Sequence, residues 1–182
     1  MANGDTYEGE FVHGVKTGKG LIVSDGGSTT LEGDWKDNKL DGTGTERKGK
    51  KVRYSGEFKE GKKHGRGVYM LDDGSKYIGE FKNGKIHGEG VYIYNASSSK
   101  SRYLGTFNEN AMTGIGRLEM KNGVVFEGSE QGGQVILKKS AKKTKKKARG
   151  FLGHLVDDYM QVSMKDGELT LLDENHRPIS TL

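Results

Sequence analysis

The sequence predicts an all-β protein, a single-layer antiparallel meander of about six β-hairpins that forms an elongated, solenoid-like sheet. Three observations predict this fold. A short motif recurs at a nearly constant interval, ring and glycine positions alternate with a period of two inside each copy, and glycine fills 30 of 182 positions while proline fills 1. Since side chains alternate between the two faces of a strand, a period of two predicts strands rather than helices.

The recurring motif begins with an aromatic residue, which is followed by glycine two residues later and usually by a second ring four residues later. Six copies align, and their starts lie 24, 23, 23, 26 and 23 residues apart. The copies start at Tyr7, Leu31, Tyr54, Tyr77, Tyr103 and Phe126. Self-similarity at a short fixed period is typical of repeat architectures, in which each unit packs on its neighbours.

Each repeat is predicted to be one hairpin. We number its residues from the start given above, so that YSGEFKEGKKHGRGVYM from Tyr54 has rings at positions 1, 5 and 16 and glycines at positions 3, 8, 12 and 14. The glycine at position 8 predicts a tight turn between two short strands, and Asp73-Gly74 predicts the turn to the next hairpin. Asn38 and Asn110 replace glycine at position 8, and asparagine also accepts a left-handed backbone.

An aromatic row is predicted on one face of the sheet. Its rings are Tyr7, Phe11, Trp35, Tyr54, Phe58, Tyr69, Tyr77, Phe81, Tyr92, Tyr103 and Phe107, with Phe126 at the end of the array. We expect each ring to pack on the glycines of the next repeat, where the missing side chain leaves bare backbone. The exposed part of the row is also predicted to form a groove for a protein partner, because concave solenoid faces usually bind partners. Charged residues at position 4, such as Glu57, are predicted to form a solvated face.

The repeat resembles the MORN family (membrane occupation and recognition nexus), and the resemblance covers residues 3 to about 137. Several positions depart from the family motif: Leu31 replaces the first ring, and Asp41 and Thr113 replace the histidine at position 11. The sixth copy has Leu137 and Lys139 where glycines belong, so we expect it to end the array as a cap. The resemblance implies a scaffold, since MORN proteins commonly organise cytoskeletal, ciliary or membrane structures. Residues 1–137 are therefore predicted to be the repeat array.

A lysine-rich linker is predicted at residues 138–149. It holds eight basic residues and no acidic ones, while the rest of the chain has 22 basic and 25 acidic residues. The basic residues are Lys138, Lys139, Lys142, Lys143, Lys145, Lys146, Lys147 and Arg149. Such a run is either a solubilising linker or a contact for an anionic phospholipid membrane or another polyanion. The run would equally serve as a nuclear import signal. Nucleic-acid binding is the less favoured interpretation, because the run has no aromatic residue for base stacking.

The tail, residues 150–182, is predicted to contain a short amphipathic helix and a hairpin. Apolar residues from Phe151 to Met160 follow helical spacing, and the helix is expected either to cap the last strand or to bind a membrane or partner. Segments 160–164 and 168–172 flank Lys165-Asp166-Gly167, which predicts a hairpin turn. Residues 173–182 are predicted to be a loop. The family resemblance does not extend to this tail.

The residues give no support for catalysis or for a bound cofactor or metal. Cysteine is absent, which excludes disulfides and thiolate sites, and the five histidines have no metal-ligand spacing. The glycine-rich stretches lie inside hairpins and open no helix, unlike nucleotide-binding loops. No apolar run reaches the roughly 20 residues of a membrane span, and the start lacks a signal peptide. We expect a cytoplasmic protein, associated with membrane or cytoskeleton, with a nuclear location as the alternative.

Three functions remain open at this point. The first is a non-enzymatic interaction scaffold, with a protein partner on the sheet and an anionic lipid or polyanion on the basic segment. The second, taken from the resemblance, is a regulatory or substrate-docking region of a larger enzyme, either a phosphoinositide kinase or a SET-type lysine methyltransferase. The third is a nuclear or nucleic-acid-associated protein. Exposed sheet edges also leave a homodimer open.

Overall fold

The computed structural model describes residues 5–131, 134–139, 162–165, 168–172 and 178–181. Within these residues the chain is all-β, as predicted, with one short 3-10 helix at Asp25–Gly27. The array contains β1 (Thr6–Val12), β2 (Val15–Ser24), β3 (Thr29–Lys36), β4 (Lys39–Lys48), β5 (Lys51–Lys59), β6 (Lys62–Met70), β7 (Lys76–Lys82), β8 (Lys85–Ile93), β9 (Lys100–Asn108), β10 (Ala111–Met120), β11 (Val125–Gln131) and β12 (Gln134–Lys139). The tail contains β13 (Val162–Lys165), β14 (Glu168–Leu172) and β15 (Pro178–Thr181).

β1 to β12 lie in one sheet and follow one another in chain order, which confirms the predicted meander. The chain forms two compact units, Met1–Leu71 with Glu80–Lys85, and Asp72–Gly79 with Ile86–Leu182. In the first unit, each strand from β1 to β6 pairs antiparallel with its neighbour in sequence. In the second unit, β8 to β12 pair in the same way.

Five hairpins have turns that the structure describes, and all five turn at positions 7 and 8. Both residues have positive φ in His13-Gly14, Asp37-Asn38, Glu60-Gly61, Asn83-Gly84 and Glu109-Asn110. Positive φ at both central residues defines the type I′ turn, whose twist matches that of the paired strands. Asn38 (φ 65°) and Asn110 (φ 73°) adopt the left-handed conformation predicted for them.

A β-bulge interrupts the second strand of the repeat, and the sequence analysis did not predict it. Gly56 pairs with Gly67, but Phe58, two residues further on, pairs with Lys63, four residues back, so the second strand holds two extra residues. Gly65 lies in this bulge with a φ of 53°, which favours glycine. The same register shift occurs in the repeats that start at residues 7, 31 and 103.

The sixth hairpin has no bulge in its described register. Phe126 pairs with Lys139 and Gly128 pairs with Leu137, with every intervening pair in step. Leu137 stands at position 12, where the other repeats have glycine, so the missing bulge accompanies the missing glycine. β12 ends at Lys139, so Lys138 and Lys139 lie in the sheet rather than in the predicted linker. The role of this hairpin as a cap stays a prediction.

The tail forms a second, three-stranded sheet in the order β13, β14, β15. The predicted hairpin is confirmed, since Val162 pairs with Leu171 and Lys165 with Glu168. The predicted loop at 173–182 is wrong at its end, because Pro178–Thr181 is an edge strand paired with β14. Proline is tolerated at the first residue of an edge strand, where no ladder hydrogen bond needs its nitrogen. The predicted helix from Phe151 to Met160 lies outside the described residues.

The core of the array lies on both faces of the sheet. On the face of positions 1 and 5 the buried side chains are Trp35, Tyr54, Phe58, Tyr77, Phe81, Tyr103 and Phe107, together with Leu40 from position 10. On the opposite face, positions 2 and 15 bury Val68, Ile78, Val91 and Leu104. The sequence analysis predicted the first row and missed the second, aliphatic one.

Candidate functional site

The aromatic row that was predicted to form a partner groove is mostly buried. Seven rings are at most 6% exposed: Trp35, Tyr54, Phe58, Tyr77, Phe81, Tyr103 and Phe107. Tyr7, Tyr69 and Tyr92 are half-buried, while Phe11 is 54% exposed. The central rings thus form the core of the array, and the row is more accessible at Phe11 and at the half-buried rings.

Each position-1 tyrosine lies against the bare backbone of its own repeat. A Cβ atom added to Gly67 would lie 2.5 Å from the Tyr54 hydroxyl oxygen, and one added to Gly56 would lie 2.8 Å from it. The same contact joins Tyr7 to Gly20, Tyr77 to Gly90 and Tyr103 to Gly116. The expectation that these rings pack on the next repeat is therefore wrong, because positions 1, 3 and 14 are neighbours on the two paired strands of one hairpin.

Contacts between rings connect consecutive repeats. The centroid of Tyr54 lies 5.0 Å from that of Phe58 in its own repeat and 5.0 Å from that of Phe81 in the next, both edge-to-face. Tyr7 contacts Phe11 at 4.9 Å and Trp35 at 5.4 Å in the same geometry. A position-1 ring therefore bridges the position-5 rings of two successive repeats.

The hydroxyls of Tyr7, Tyr54 and Tyr77 donate hydrogen bonds to backbone carbonyl groups of their own repeats. Tyr54 donates to the carbonyl oxygen of Glu57 at 2.8 Å, and burial, followed by the nearby carboxylates of Glu57 and Glu46, raises the pKa of Tyr54. Burial also raises the pKa of Tyr103 to about 12. In the described part of the chain, the Tyr103 hydroxyl has no hydrogen-bond partner. These phenols are therefore packed as neutral groups.

The row is interrupted at Leu31, the repeat start that has no ring. A groove of about 520 Å³ lies at this place, entirely within the first compact unit. Leu31, Trp35, Leu40 and Phe58 form its apolar wall. Trp35 is fixed there by its indole N–H, which donates to the carbonyl oxygen of Gly20 at 2.8 Å. The sequence analysis noted Leu31 as a departure but did not predict a groove.

Charged side chains surround the groove. Lys63 pairs with Glu46 at 2.8 Å, and its ammonium lies 5.2 Å from the Tyr54 ring centroid and 4.7 Å from that of Tyr69. Lys39 and Lys62 also line the groove, and both are exposed. With three lysines and one glutamate, the lining has a net charge of +2 at neutral pH. The groove is thus apolar inside and positively charged at its rim.

Backbone hydrogen bonds join the turn of each hairpin to the preceding repeat and hold neighbouring repeats in register. The position-8 N–H donates to the position-10 carbonyl of the preceding repeat, from Asn38 to Lys16, Gly61 to Leu40, Gly84 to Lys63 and Asn110 to Ile86. Where position 8 is asparagine, its side chain adds a second bond. The Asn38 Oδ1 atom accepts from the Lys16 N–H at 2.9 Å, and the Asn110 Oδ1 atom accepts from the Ile86 N–H at 3.0 Å. Asparagine therefore does more at this position than provide a left-handed turn.

The acidic residues at position 4 accept hydrogen bonds from backbone N–H groups at the bulge. Their carboxylates accept from the position-13 N–H of the same repeat, in the pairs Glu10 with Lys19, Asp34 with Thr43 and Glu57 with Arg66, at 2.8 to 2.9 Å. Lys19 beside Asp34, together with the hydrogen bonds from Thr43, holds the pKa of that carboxyl below its ordinary value. Glu57 is exposed as predicted, yet it also has this structural role.

The predicted polyanion-binding residues lie mostly beyond the described part of the chain. Lys142, Lys143, Lys145, Lys146, Lys147 and Arg149 fall outside it. Lys138 and Lys139 belong to β12. Contact of this segment with lipid or another polyanion stays a prediction.

Neither a metal cluster nor a membrane-spanning helix is present in the described part of the chain. The described residues contain no group of three or more histidine, aspartate or glutamate side chains arranged to hold a metal ion. Nor do they include a helix with the length and apolarity needed to cross a bilayer.

Comparison with known families agrees with the repeat geometry. The MORN repeat model matches five segments, residues 7–29, 32–50, 54–76, 77–98 and 103–125. These segments correspond to the first five repeats, and the sixth hairpin, whose described register has no bulge, is not among them. No curated protein matches the chain as a whole at a significant level.

Proposed function

Because the chain belongs to the MORN repeat family, we propose that it is a non-enzymatic interaction scaffold whose repeat sheet binds a protein partner. MORN repeats are generally non-catalytic, and the family points to a scaffold for protein or membrane interaction. The scaffold works at the surface of the sheet, because the buried rings and aliphatic side chains are already used to hold the repeats together.

The groove at Leu31 is the observation that carries this proposal. It is an apolar recess of about 520 Å³ on the aromatic face, bounded by Trp35 and Phe58. Apolar recesses with aromatic walls and a polar rim are the usual anchor points of protein interfaces. Because Trp35 and Phe58 are already buried, a partner bound there contacts the half-buried Leu31 and the exposed lysines Lys39 and Lys62.

The second part of the proposal is a tether. The eight basic residues of segment 138–149 attract an anionic membrane surface, with about 1 kcal/mol for each lysine close to the headgroups. Such attachment is weak and reversible, and it weakens as the salt concentration rises. It places the sheet, with its partner, at the cytoplasmic face of a membrane or along the cytoskeleton that supports it.

One pair of proteins tests both parts. The full chain and a variant with Lys142, Lys143, Lys145, Lys146 and Lys147 changed to glutamine are immobilised and exposed to cytosol and to vesicles containing anionic phospholipid. We expect both proteins to capture the same protein partner, while the variant loses the vesicles. If the variant does not capture the partner, the partner binds the lysine-rich segment and not the sheet. If the variant binds vesicles as well as the original chain does, the tether proposal is wrong.

A further inference from the structure

The two outer strands of the twelve-stranded sheet, β1 and β12, each have one side without a paired strand in the part of the chain that the structure describes. The backbone N–H and C=O groups on such an edge are available to pair with a strand of another chain. At four boundaries between repeats, the second strand of one repeat pairs antiparallel with the first strand of the next. Because β12 is a second strand and β1 is a first strand, β12 of one copy and β1 of another can form the same kind of pair.

The β1 edge exposes two adjacent apolar side chains. Phe11, at position 5, is 54% exposed, whereas the buried rings at this position in the next four repeats are at most 6% exposed. Val12, at position 6, is 55% exposed. The next four repeats have an exposed polar side chain at position 6, namely Lys36, Lys59, Lys82 and Asn108. Exposed apolar residues at an unpaired edge, in a place that is polar elsewhere in the array, indicate a surface that another strand covers.

The charges of the two edges are opposite in sign. β1 has the exposed carboxylates of Glu8 and Glu10, and β12 ends with Lys138 and Lys139. Like charges directly opposite one another destabilise paired strands, so β1 disfavours a second β1, and β12 disfavours a second β12. The charges attract when β12 of one copy pairs with β1 of another.

The register used inside the array also fits this pair. Position 12 of one repeat pairs with position 5 of the next at three boundaries, which are Gly18 with Trp35, Gly42 with Phe58, and Gly88 with Phe107. The same register between two copies gives the pairs Leu137 with Phe11, Ile136 with Val12, and Lys138 with Glu10. Apolar residues then lie opposite apolar ones, and a basic residue lies opposite an acidic one. A shift of two residues, which keeps the faces of the sheet, places Lys138 opposite Glu8 instead.

We propose that copies of this chain associate end to end, with β12 of one copy paired antiparallel with β1 of the next. The two surfaces in this contact differ, so the association is heterologous, and it adds the repeats of one copy to those of another. The inference concerns the edges of the sheet, and it does not depend on the groove at Leu31 or on the tether.

Sedimentation velocity of the full chain tests the association directly. We expect the sedimentation coefficient to rise with protein concentration, and the association to weaken as the salt concentration rises, because the opposite charges are screened. Val12→Lys gives the β1 edge the residue of the later repeats. It is expected to raise the concentration needed for association about tenfold or more, because an apolar side chain is lost from the contact and a positive charge faces β12.

The matched control is Ile115→Lys, the same kind of change on β10, a strand that is paired on both sides. Ile115 is 65% exposed, and the four preceding repeats have polar residues at its position, so the variant is expected to fold and to associate like the original chain. An original chain that stays monomeric at all concentrations overturns the proposal. So does a folded Val12→Lys variant that associates as strongly as the original chain, or an Ile115→Lys variant that loses association to the same extent as Val12→Lys.

A mixture of two variants shows which edges meet. Lys138→Glu combined with Lys139→Glu alters β12 and keeps β1, while Val12→Lys alters β1 and keeps β12. We expect each variant alone to associate weakly, and equal amounts of the two to form complexes, because each supplies the edge that the other lacks. A folded double variant that associates alone like the original chain, or a mixture without complexes, overturns the proposal. If circular dichroism shows that the double variant is not folded, Val12→Lys and its control decide.

Discussion

The ring of Tyr54 lies edge-to-face against that of Phe81, with 5.0 Å between the centroids and 86° between the planes. Tyr54 starts one repeat and Phe81 belongs to the next, so this contact joins two hairpins through their side chains. The array is held by a series of such contacts between nearest neighbours, as is typical of repeat proteins. Loss of one ring is therefore a local event, and at Leu31 the sheet continues through β3 and β4 although this repeat has no ring at position 1.

Replacing Gly67 with alanine should destabilise the protein more than the same change at Gly44, the equivalent position in the repeat without a tyrosine. A Cβ at Gly67 would lie 2.5 Å from the Tyr54 hydroxyl oxygen, so the ring must move. We expect Gly67→Ala to cost about 1–3 kcal/mol of unfolding free energy, the usual range for overpacking. We expect Gly44→Ala to cost less, because its Cβ would lie 2.9 Å from the Glu32 carbonyl oxygen and 3.1 Å from the Phe58 ring, which are longer contacts than those at Gly67. Urea denaturation measures the unfolding free energy of both variants. Equal losses would show that the Tyr54 ring is not the reason why residue 67 must be glycine.

Removing the hydroxyl of Tyr54 should cost more than removing that of Tyr103. The Tyr54 hydroxyl donates to the Glu57 carbonyl at 2.8 Å, so Tyr54→Phe is expected to lose about 1 kcal/mol of unfolding free energy. The Tyr103 hydroxyl is buried and lacks a partner among the described residues, so Tyr103→Phe should be neutral or stabilising. Thermal or chemical unfolding of the two variants makes the comparison. A larger loss at Tyr103 would contradict the hydrogen-bond assignment.

Glycine is commoner than asparagine at position 8, yet Asn38→Gly should destabilise the protein. The change removes the bond between the Asn38 Oδ1 atom and the Lys16 N–H while keeping the left-handed turn. The expected loss of unfolding free energy is about 0.5–1.5 kcal/mol, the net value of one hydrogen bond. Asn38→Ala should lose more, because alanine also disfavours the φ of 65°. An Asn38→Gly variant as stable as the original chain would show that the side-chain bond contributes nothing.

The buried tyrosines should make the fold sensitive to alkali. Burial raises the pKa values of Tyr54 and Tyr103 in the folded state, while in the unfolded chain tyrosine ionises near pH 10. Their contribution to stability is therefore complete below about pH 10 and is lost as the pH rises toward the folded pKa values, because only the unfolded state releases these protons in that range. Absorbance at 295 nm should show that Tyr54 and Tyr103 ionise only as the protein unfolds. Normal titration of all tyrosines in the folded state would refute this.

The repeat period and the turns could be predicted from the sequence because each depends on local chemistry. Glycine or asparagine at position 8 is required by the type I′ turn, and both Asn38 and Asn110 behave as predicted. The bulge could not be predicted from the sequence pattern. It inserts two residues, an even number, so the side chains at positions 12, 14 and 16 keep their period of two. Only the pairing of Phe58 with Lys63 shows the shift. The tyrosines pack on their own hairpins because the strand register pairs the glycines at positions 3 and 14. This register cannot be read from the residue pattern of a single strand.

The candidate site could be predicted only in part. The sequence showed that Leu31 departs from the aromatic pattern, and it placed Trp35 and Phe58 in the row. It did not show that these rings would remain in place around a recess, since Leu40 was not recognised as the core residue that covers Gly33. Nor did it separate the buried rings from the accessible ones, because burial depends on neighbouring hairpins.

The most direct test of the groove at Leu31 as a binding site is a nuclear magnetic resonance titration of the full chain with p-cresol, a small apolar ring that also occurs as the tyrosine side chain. If the recess at Leu31 accepts a ring, the largest shifts will occur at the indole N–H of Trp35 and the methyl groups of Leu31, and they will disappear in the Leu31→Tyr variant. The largest shifts at the methyl groups of Val12, which is 55% exposed beside Phe11, or no shifts at all, would contradict the account.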